Sequence, residues 1–107
     1  MIYEIRTYEA MPGKLQALNQ RFANITMKYF EKYGLKAVGF WTEDVGTSNT
    51  LVYLLAFEDM AQRDRAWRAF RADDQRARAF AETERDGPLV ARITNRILRP
   101  TDYSPLL

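Results

Sequence analysis

Two apolar segments, Leu35 to Trp41 and Leu51 to Phe57, flank the polar connector EDVGTSNT, a pattern that predicts an antiparallel hairpin. Ahead of it, Ile2 to Glu9 alternates in character and predicts a two-faced strand. Tyr3, Ile5 and Thr7 share one side of that strand, while Ile2, Glu4, Arg6 and Tyr8 share the other. Between strand and hairpin, Met11-Pro12-Gly13-Lys14 reads as a turn into a helix. Leu15, Leu18, Phe22, Ile25 and Tyr29 recur at steps of three and four, giving one apolar stripe that Phe30 and Tyr33 widen. Gly34 suits the C-terminal cap, and Lys28 and Lys32 agree in sign with the helix dipole.

Beyond the hairpin, Glu58-Asp59 offers a cap for a second helix, with Ala66, Trp67 and Phe70 inward and Arg65, Arg68 and Arg71 outward. Asp73-Asp74 marks a break or second cap, and Ala77, Phe80 and Ala81 continue the helical spacing until Asp86-Gly87-Pro88 stops it. Leu89 to Arg99 predicts a final strand, with Val90, Arg92, Thr94, Arg96 and Leu98 on one side. Ala91, Ile93, Asn95 and Ile97 fall on the other, and Pro100 ends it. The order β-α-β-β-α-β predicts an α+β, ferredoxin-like fold: a four-stranded antiparallel sheet with its helices on one face. One domain spanning 1–99 is expected, followed by a short C-terminal tail, 100–107.

The hairpin carries a further implication. Alternation assigns Lys36, Val38, Phe40 and Thr42 to one face, and Ala37, Gly39, Trp41 and Glu43 to the other, with Gly39 a candidate bulge. On the return strand both faces are apolar: Leu51, Tyr53, Leu55 and Phe57 oppose Val52, Leu54 and Ala56. A strand of that kind is normally covered on both sides, yet two helices cover only one. The expectation is a two-fold homodimer in which the bare faces pack together; a monomer with a large ligand-binding face is the competing account.

Composition narrows the chemistry. The 107 residues suit a single domain with one core, and 47% hydrophobic residues fill it. Sixteen basic residues nearly balance fourteen acidic ones, and their signs alternate, which argues against nucleic acid or an anionic membrane as partner. With no cysteine and no histidine, thiolate chemistry, a His-based triad and histidine-ligated haem are excluded, and no metal or other cofactor is expected. No apolar run approaches the roughly 20 residues of a membrane span, and the charged start MIYEIRTYE is unlike a signal peptide, so a cytoplasmic setting is expected.

The row Glu4, Arg6, Tyr8 is unusual for a strand. It reads either as an ion-paired, half-solvated sheet face or as the polar wall of a cavity. In a cavity, Arg6 would receive a carboxylate or enolate, Tyr8 would donate to a developing oxyanion, and a Glu4 raised by burial would serve as base. Phe40, Trp41 and Tyr53 are candidates to line such a site, with core or interface packing as the plainer account. Arg92 and Arg96 share a strand face and are candidates for ligand contact or for pairing with Glu4 or Glu43. Trp67 and Phe70 read as helix-to-sheet packing, and Asn49 as a turn residue.

The strand EIRTY followed by P-G-K, the G-F-W strand, the G-x-x-N turn before an aromatic strand, and the arginine- and tryptophan-containing second helix together resemble the NIPSNAP family, within the dimeric α+β barrel superfamily. The likeness covers residues 1 to about 99 and lies in the order and spacing of short elements. Where many relatives carry a tryptophan near the end of the third strand, this chain has Phe57-Glu58-Asp59-Met60. The resemblance implies a homodimer and no named reaction. Two functions are therefore expected: a small homodimeric protein that binds a partly apolar or aromatic ligand, or a cofactor-independent monooxygenase or isomerase acting on an aromatic or polyketide-like substrate.

Overall fold

The computed structural model describes residues 1–106, so residue 107 of the expected tail lies outside the described residues. Strand β1 (Ile2–Ala10) leads into α1 (Leu15–Arg21), which continues through a π-helical segment (Phe22–Thr26) into α2 (Met27–Tyr33). The hairpin β2 (Lys36–Thr42) and β3 (Thr50–Phe57) follows, then α3 (Met60–Ala72), α4 (Asp74–Thr83) and β4 (Val90–Leu98). The sheet order is β2-β3-β1-β4, antiparallel throughout, as the ferredoxin-like plan requires. β1 thus lies inside the sheet, flanked by β3 and β4.

The capping residues act as their spacing implies. Asp59 accepts the Gln62 backbone N–H at 2.8 Å, and the Gln62 side chain accepts from the Glu58 N–H at 2.9 Å. Asp73 separates α3 from α4 and accepts from the Arg76 N–H. The same carboxylate takes bonds from Lys32 and Tyr33 at the end of α2, which ties that helix to the α3–α4 junction. Gly34 caps α2 in the left-handed conformation at φ 74°. Between helices and sheet, Leu18, Phe22, Phe30, Trp67 and Phe70 pack on Leu51, Tyr53, Leu55 and Phe57.

Two features depart from simple periodicity. The buried line of the first helical region runs through Leu18, Phe22, Thr26 and Phe30, while Ile25 and Tyr29 of the expected stripe are only half-buried. In a regular α-helix, residues 18 and 30 would lie about 120° apart around the axis. The π segment absorbs one extra residue, roughly 100° of rotation, and so brings steps of four back onto one face. Thr26 replaces Ile25 on the inside for that reason.

The second feature is a pair of bulges. Ala37 pairs with Leu55 and Gly39 with Leu54, leaving Val38 as the extra residue. Phe40 therefore shares the helix-covered face with Ala37, not with Lys36 and Val38 as unbroken alternation had it. Trp41 folds back over Gly39, where an added Cβ would lie 2.8 Å from the indole ring. On the last strand, Glu9 pairs with Arg92 and Ala10 with Val90, so Ala91 is extra and Val90 turns toward the core. Arg92, Thr94, Arg96 and Leu98 remain on the bare face. That face also carries Trp41 and Leu98, 54% and 40% exposed, with Ile5, Val52 and Leu54 half-buried between them.

The connector is anchored by Asn49, which holds a left-handed φ of 64° and donates its side-chain amide to Ala10 O at 2.7 Å and Met11 O at 3.2 Å. Asn49→Ala removes those bonds and burdens the backbone with a Cβ poorly suited to that region, whereas Asn49→Gly removes only the bonds. Urea unfolding should show the alanine variant destabilised by about 2–3 kcal/mol and the glycine variant by about 1–2 kcal/mol. Equal losses would mean that the backbone conformation carries no cost.

Candidate functional site

Even-numbered positions of β1 point beneath the helices, so Glu4, Arg6 and Tyr8 form a row inside the protein instead of a half-solvated sheet face. The register places Arg6 between Tyr53 on β3 and Asn95 on β4. Glu4 has no exposed surface. Its Oε1 accepts from Arg63 Nε at 3.0 Å and Trp67 Nε1 at 2.8 Å. Its Oε2 accepts from Arg6 Nη1 at 3.0 Å, Arg63 Nη2 at 3.0 Å and Asn95 Nδ2 at 2.9 Å.

Burial alone would raise the Glu4 pKa, but the bonds from Arg63, Asn95 and Trp67 and the charge of Arg6 outweigh it and hold the carboxyl down to about 2. The expectation that burial makes Glu4 a base is therefore corrected. Arg6 is buried as well, which disfavours its charge, yet the surrounding Tyr53, Tyr8 and Glu4 hold its pKa above the ordinary value. Its guanidinium lies 4.4 Å from the centre of the Trp67 ring.

The remaining donors of Arg6 fix two phenols. Nε donates to Tyr53 Oη at 2.9 Å and Nη2 to Tyr8 Oη at 3.3 Å, and the two phenol oxygens are 2.9 Å apart. Two hydroxyl protons serve one Tyr–Tyr bond, so one proton has no acceptor among the described residues. Tyr53 is fully buried, and burial pushes its phenol well above its ordinary value, keeping it protonated. Either phenol can donate in the Tyr8–Tyr53 bond, and of the two only Tyr8 lines the cavity beneath the helices, so only from Tyr8 can the spare proton be offered there.

Tyr8 lines a cavity of about 280 Å³ between sheet and helices. Its walls are Phe22, Phe30, Trp67, Phe70, Phe80, Val90 and Ile93, with Arg21, Thr26 and Glu84 as further polar members. A second hollow, about 350 Å³ and more polar, lies on the bare sheet face among Ile5, Thr7, Glu9, Arg92, Thr94 and Arg96. The cavity beneath the helices combines an aromatic wall with a free hydrogen-bond donor, and it is the candidate site.

The sequence-derived candidates divide between these places. Glu4, Arg6, Tyr8 and Tyr53 form one connected cluster. Phe40 stacks on Tyr53 with ring centres 5.1 Å apart and is half-buried, outside the cavity wall. Trp41 lies on the opposite face of the sheet. Arg92 pairs with Glu9 at 2.7 Å, not with Glu4 or Glu43, because its side of β4 faces away from the helices. Arg96 lies on that same bare face. Sequence reasoning passed over Arg63, Asn95, Arg21 and Thr26. Arg63 stands one helical turn before Trp67 on the inner side of α3, a position where a guanidinium signals a buried partner.

Glu4 predicts a specific pH dependence. Its folded pKa lies below the ordinary 4.5, so its stabilisation is complete above about pH 4.5 and is lost as pH falls toward about 2. The shift corresponds to roughly 3 kcal/mol. Glu4→Gln leaves Arg6 and Arg63 without their shared anion and should lose roughly 3 kcal/mol near neutrality. The gap between wild type and variant should close as both are unfolded at progressively lower pH. A gap that stays constant from pH 5 to 2 would contradict this role.

Comparison with known proteins agrees with the architecture. A NIPSNAP-like domain protein from Burkholderia xenovorans is 26% identical, with a TM-score of 0.87 over 99% of this chain and 90% of that one. A NIPSNAP family protein with unknown function from Agrobacterium tumefaciens is also 26% identical, with a TM-score of 0.88 over 100% of this chain and 94% of that one. An antibiotic biosynthesis monooxygenase shares the fold at 13% identity and a TM-score of 0.61, covering 94% of this chain and 99% of that one. No curated protein matches. The sequence model of the NIPSNAP family matches residues 3–105, nearly the whole described domain, and the chain belongs to the NIPSNAP family.

Proposed function

We propose that this protein binds a small, partly apolar ligand in the cavity between sheet and helices, and that it does so as a homodimer in the cytoplasm. The observation that carries this reading is the Tyr8 phenol, one of a pair with a spare proton, at the edge of a largely aromatic chamber. A buried donor without an acceptor is costly, and a carbonyl or other acceptor on a flat ligand would satisfy it. Arg6 donates to Tyr8 and strengthens the phenol as a donor. The volume of about 280 Å³ suits a ligand of one or two rings.

The alternative, a cofactor-independent enzyme of monooxygenase or isomerase type, has weaker support. Glu4 is engaged by five hydrogen bonds and held as an anion, which leaves it poorly placed as a general base. Tyr8 would remain as an oxyanion donor, without a partner to abstract a proton. The likeness to the monooxygenase concerns the fold alone.

Titration of aromatic ketones followed by calorimetry tests the ligand reading. Tyr8→Phe keeps the wall and should weaken binding about tenfold, the loss expected for one hydrogen bond. Ile93→Trp, at a half-exposed position of the cavity lining, should abolish binding. Unchanged affinity in both variants would place the ligand elsewhere.

The homodimer rests on the bare face, where Trp41 and Leu98 leave apolar surface in water. Light scattering should give a mass of about 25 kDa, twice the 12.5 kDa of one chain. Trp41→Glu combined with Leu98→Glu should reduce it to that of the monomer. A wild-type monomer at micromolar concentration would remove this part of the reading.

A further inference from the structure

Arg21 is 7% exposed and lines the cavity, yet its guanidinium is only partly used. Nη1 donates to Thr83 Oγ1 at 3.3 Å and to Glu84 Oε2 at 3.2 Å, and the guanidinium carbon lies 4.5 Å from the centre of the Phe80 ring. These contacts hold the group on one side. On the other, Nε is buried without any hydrogen-bond partner, and Nη2 has none among the described residues. Nε and Nη2 are the two parallel donors of one guanidinium edge, the geometry that grips a carboxylate with two bonds. Arg63 uses this same edge on Glu4 Oε1 and Oε2. Arg21 presents the same edge with nothing on it.

Thr26 is the second unpartnered group. It is 3% exposed, it lines the same cavity, and its hydroxyl has no hydrogen bond among the described residues. Five residues apart in a regular α-helix, positions 21 and 26 would diverge by about 140°; the π segment between them reduces this to roughly 40°. The irregular winding therefore sets two unsatisfied polar side chains on one wall of an aromatic chamber.

Resting on the reading that the cavity binds a ligand, we propose that this ligand is a small aromatic carboxylate. Its ring lies among Phe22, Trp67 and Phe80, and its anionic group is received by the Nε/Nη2 edge of Arg21 and the hydroxyl of Thr26. Tyr8 donates to a second oxygen function of the ligand.

The experiment compares 2-naphthoate with its neutral counterpart 2-naphthamide by calorimetry and by amide chemical-shift mapping of the full chain. Wild type should bind the carboxylate at least tenfold tighter than the amide, with shifts at residues 21–26. Arg21→Gln should bring the two affinities together. Arg21→Lys, which keeps the charge and loses the fork, should retain only part of the preference. Thr26→Val, nearly isosteric and remote from the Arg21–Glu84 bond, should weaken the carboxylate severalfold and leave the amide unchanged; it stands as the independent test if the Arg21 variants unfold. Equal affinities in wild type, with shifts in the cavity, would overturn the carboxylate proposal and leave the cavity reading standing. Binding of neither probe, nor of any aromatic ketone, would overturn both.

Discussion

The structure depends on one buried anion. Glu4 stands in the middle of an interior strand, without contact to solvent, and such a carboxylate is tolerable only when its oxygens are met by donors. Here donors arrive from β1 itself through Arg6, from α3 through Arg63 and Trp67, and from β4 through Asn95. Three elements distant in sequence are thus held in one relative position by a single side chain. Aromatic packing around Phe30, Trp67 and Phe70 is less directional and would accept small displacements. The five bonds to Glu4 would not.

This constraint propagates outward along the strand. Arg6, neutralised on one side by Glu4, spends its other donors on Tyr53 and Tyr8. Two phenols that each accept from a guanidinium, and share one bond between them, are left with a proton to give. The row of alternating charge and phenol therefore converts a structural ion pair into a directed hydrogen-bond donor at the wall of a cavity. Stability and candidate chemistry reside in the same side chains, so substitutions at Glu4 or Arg6 affect both together, whereas Tyr8, at the end of the row, separates them.

The helices contribute a second asymmetry. A regular helix over residues 15–33 would have carried its buried stripe obliquely across the sheet. The π segment keeps that stripe straight and places Arg21 and Thr26 side by side. Segments of this kind are less favourable than regular helix, and they concentrate where a site is built. On the far side of the sheet no helix packs among the described residues, and the surface is a mixture of threonines, arginines and a few large apolar residues. The two faces of the sheet thus differ in character: one encloses the polar cluster and the cavity, and the other leaves Trp41 and Leu98 exposed.

Much of the fold was legible from periodicity. The alternation in Ile2 to Glu9, the two-sided β3 and the capping aspartates Asp59 and Asp73 each reflect a local rule that survives into the structure, and the helical stripe survives in part. Glu4, Arg6 and Tyr8 were recognisable as a row because period-two alternation places them on one face. Three things were decided only in the tertiary structure. Single extra residues at Val38 and Ala91 reversed the sides of their neighbours, and a bulge leaves no reliable mark on composition. The π segment moved Thr26 inward for a similar reason, since winding is set by what packs against a helix. The fate of Glu4 was decided by partners 59 to 91 residues away, which turned a prospective base into an ion-paired carboxylate. Sequence alone determined which groups lie on the strand; only the packing of α3 and β4 against it determined their charge, their bonds and the one donor left free.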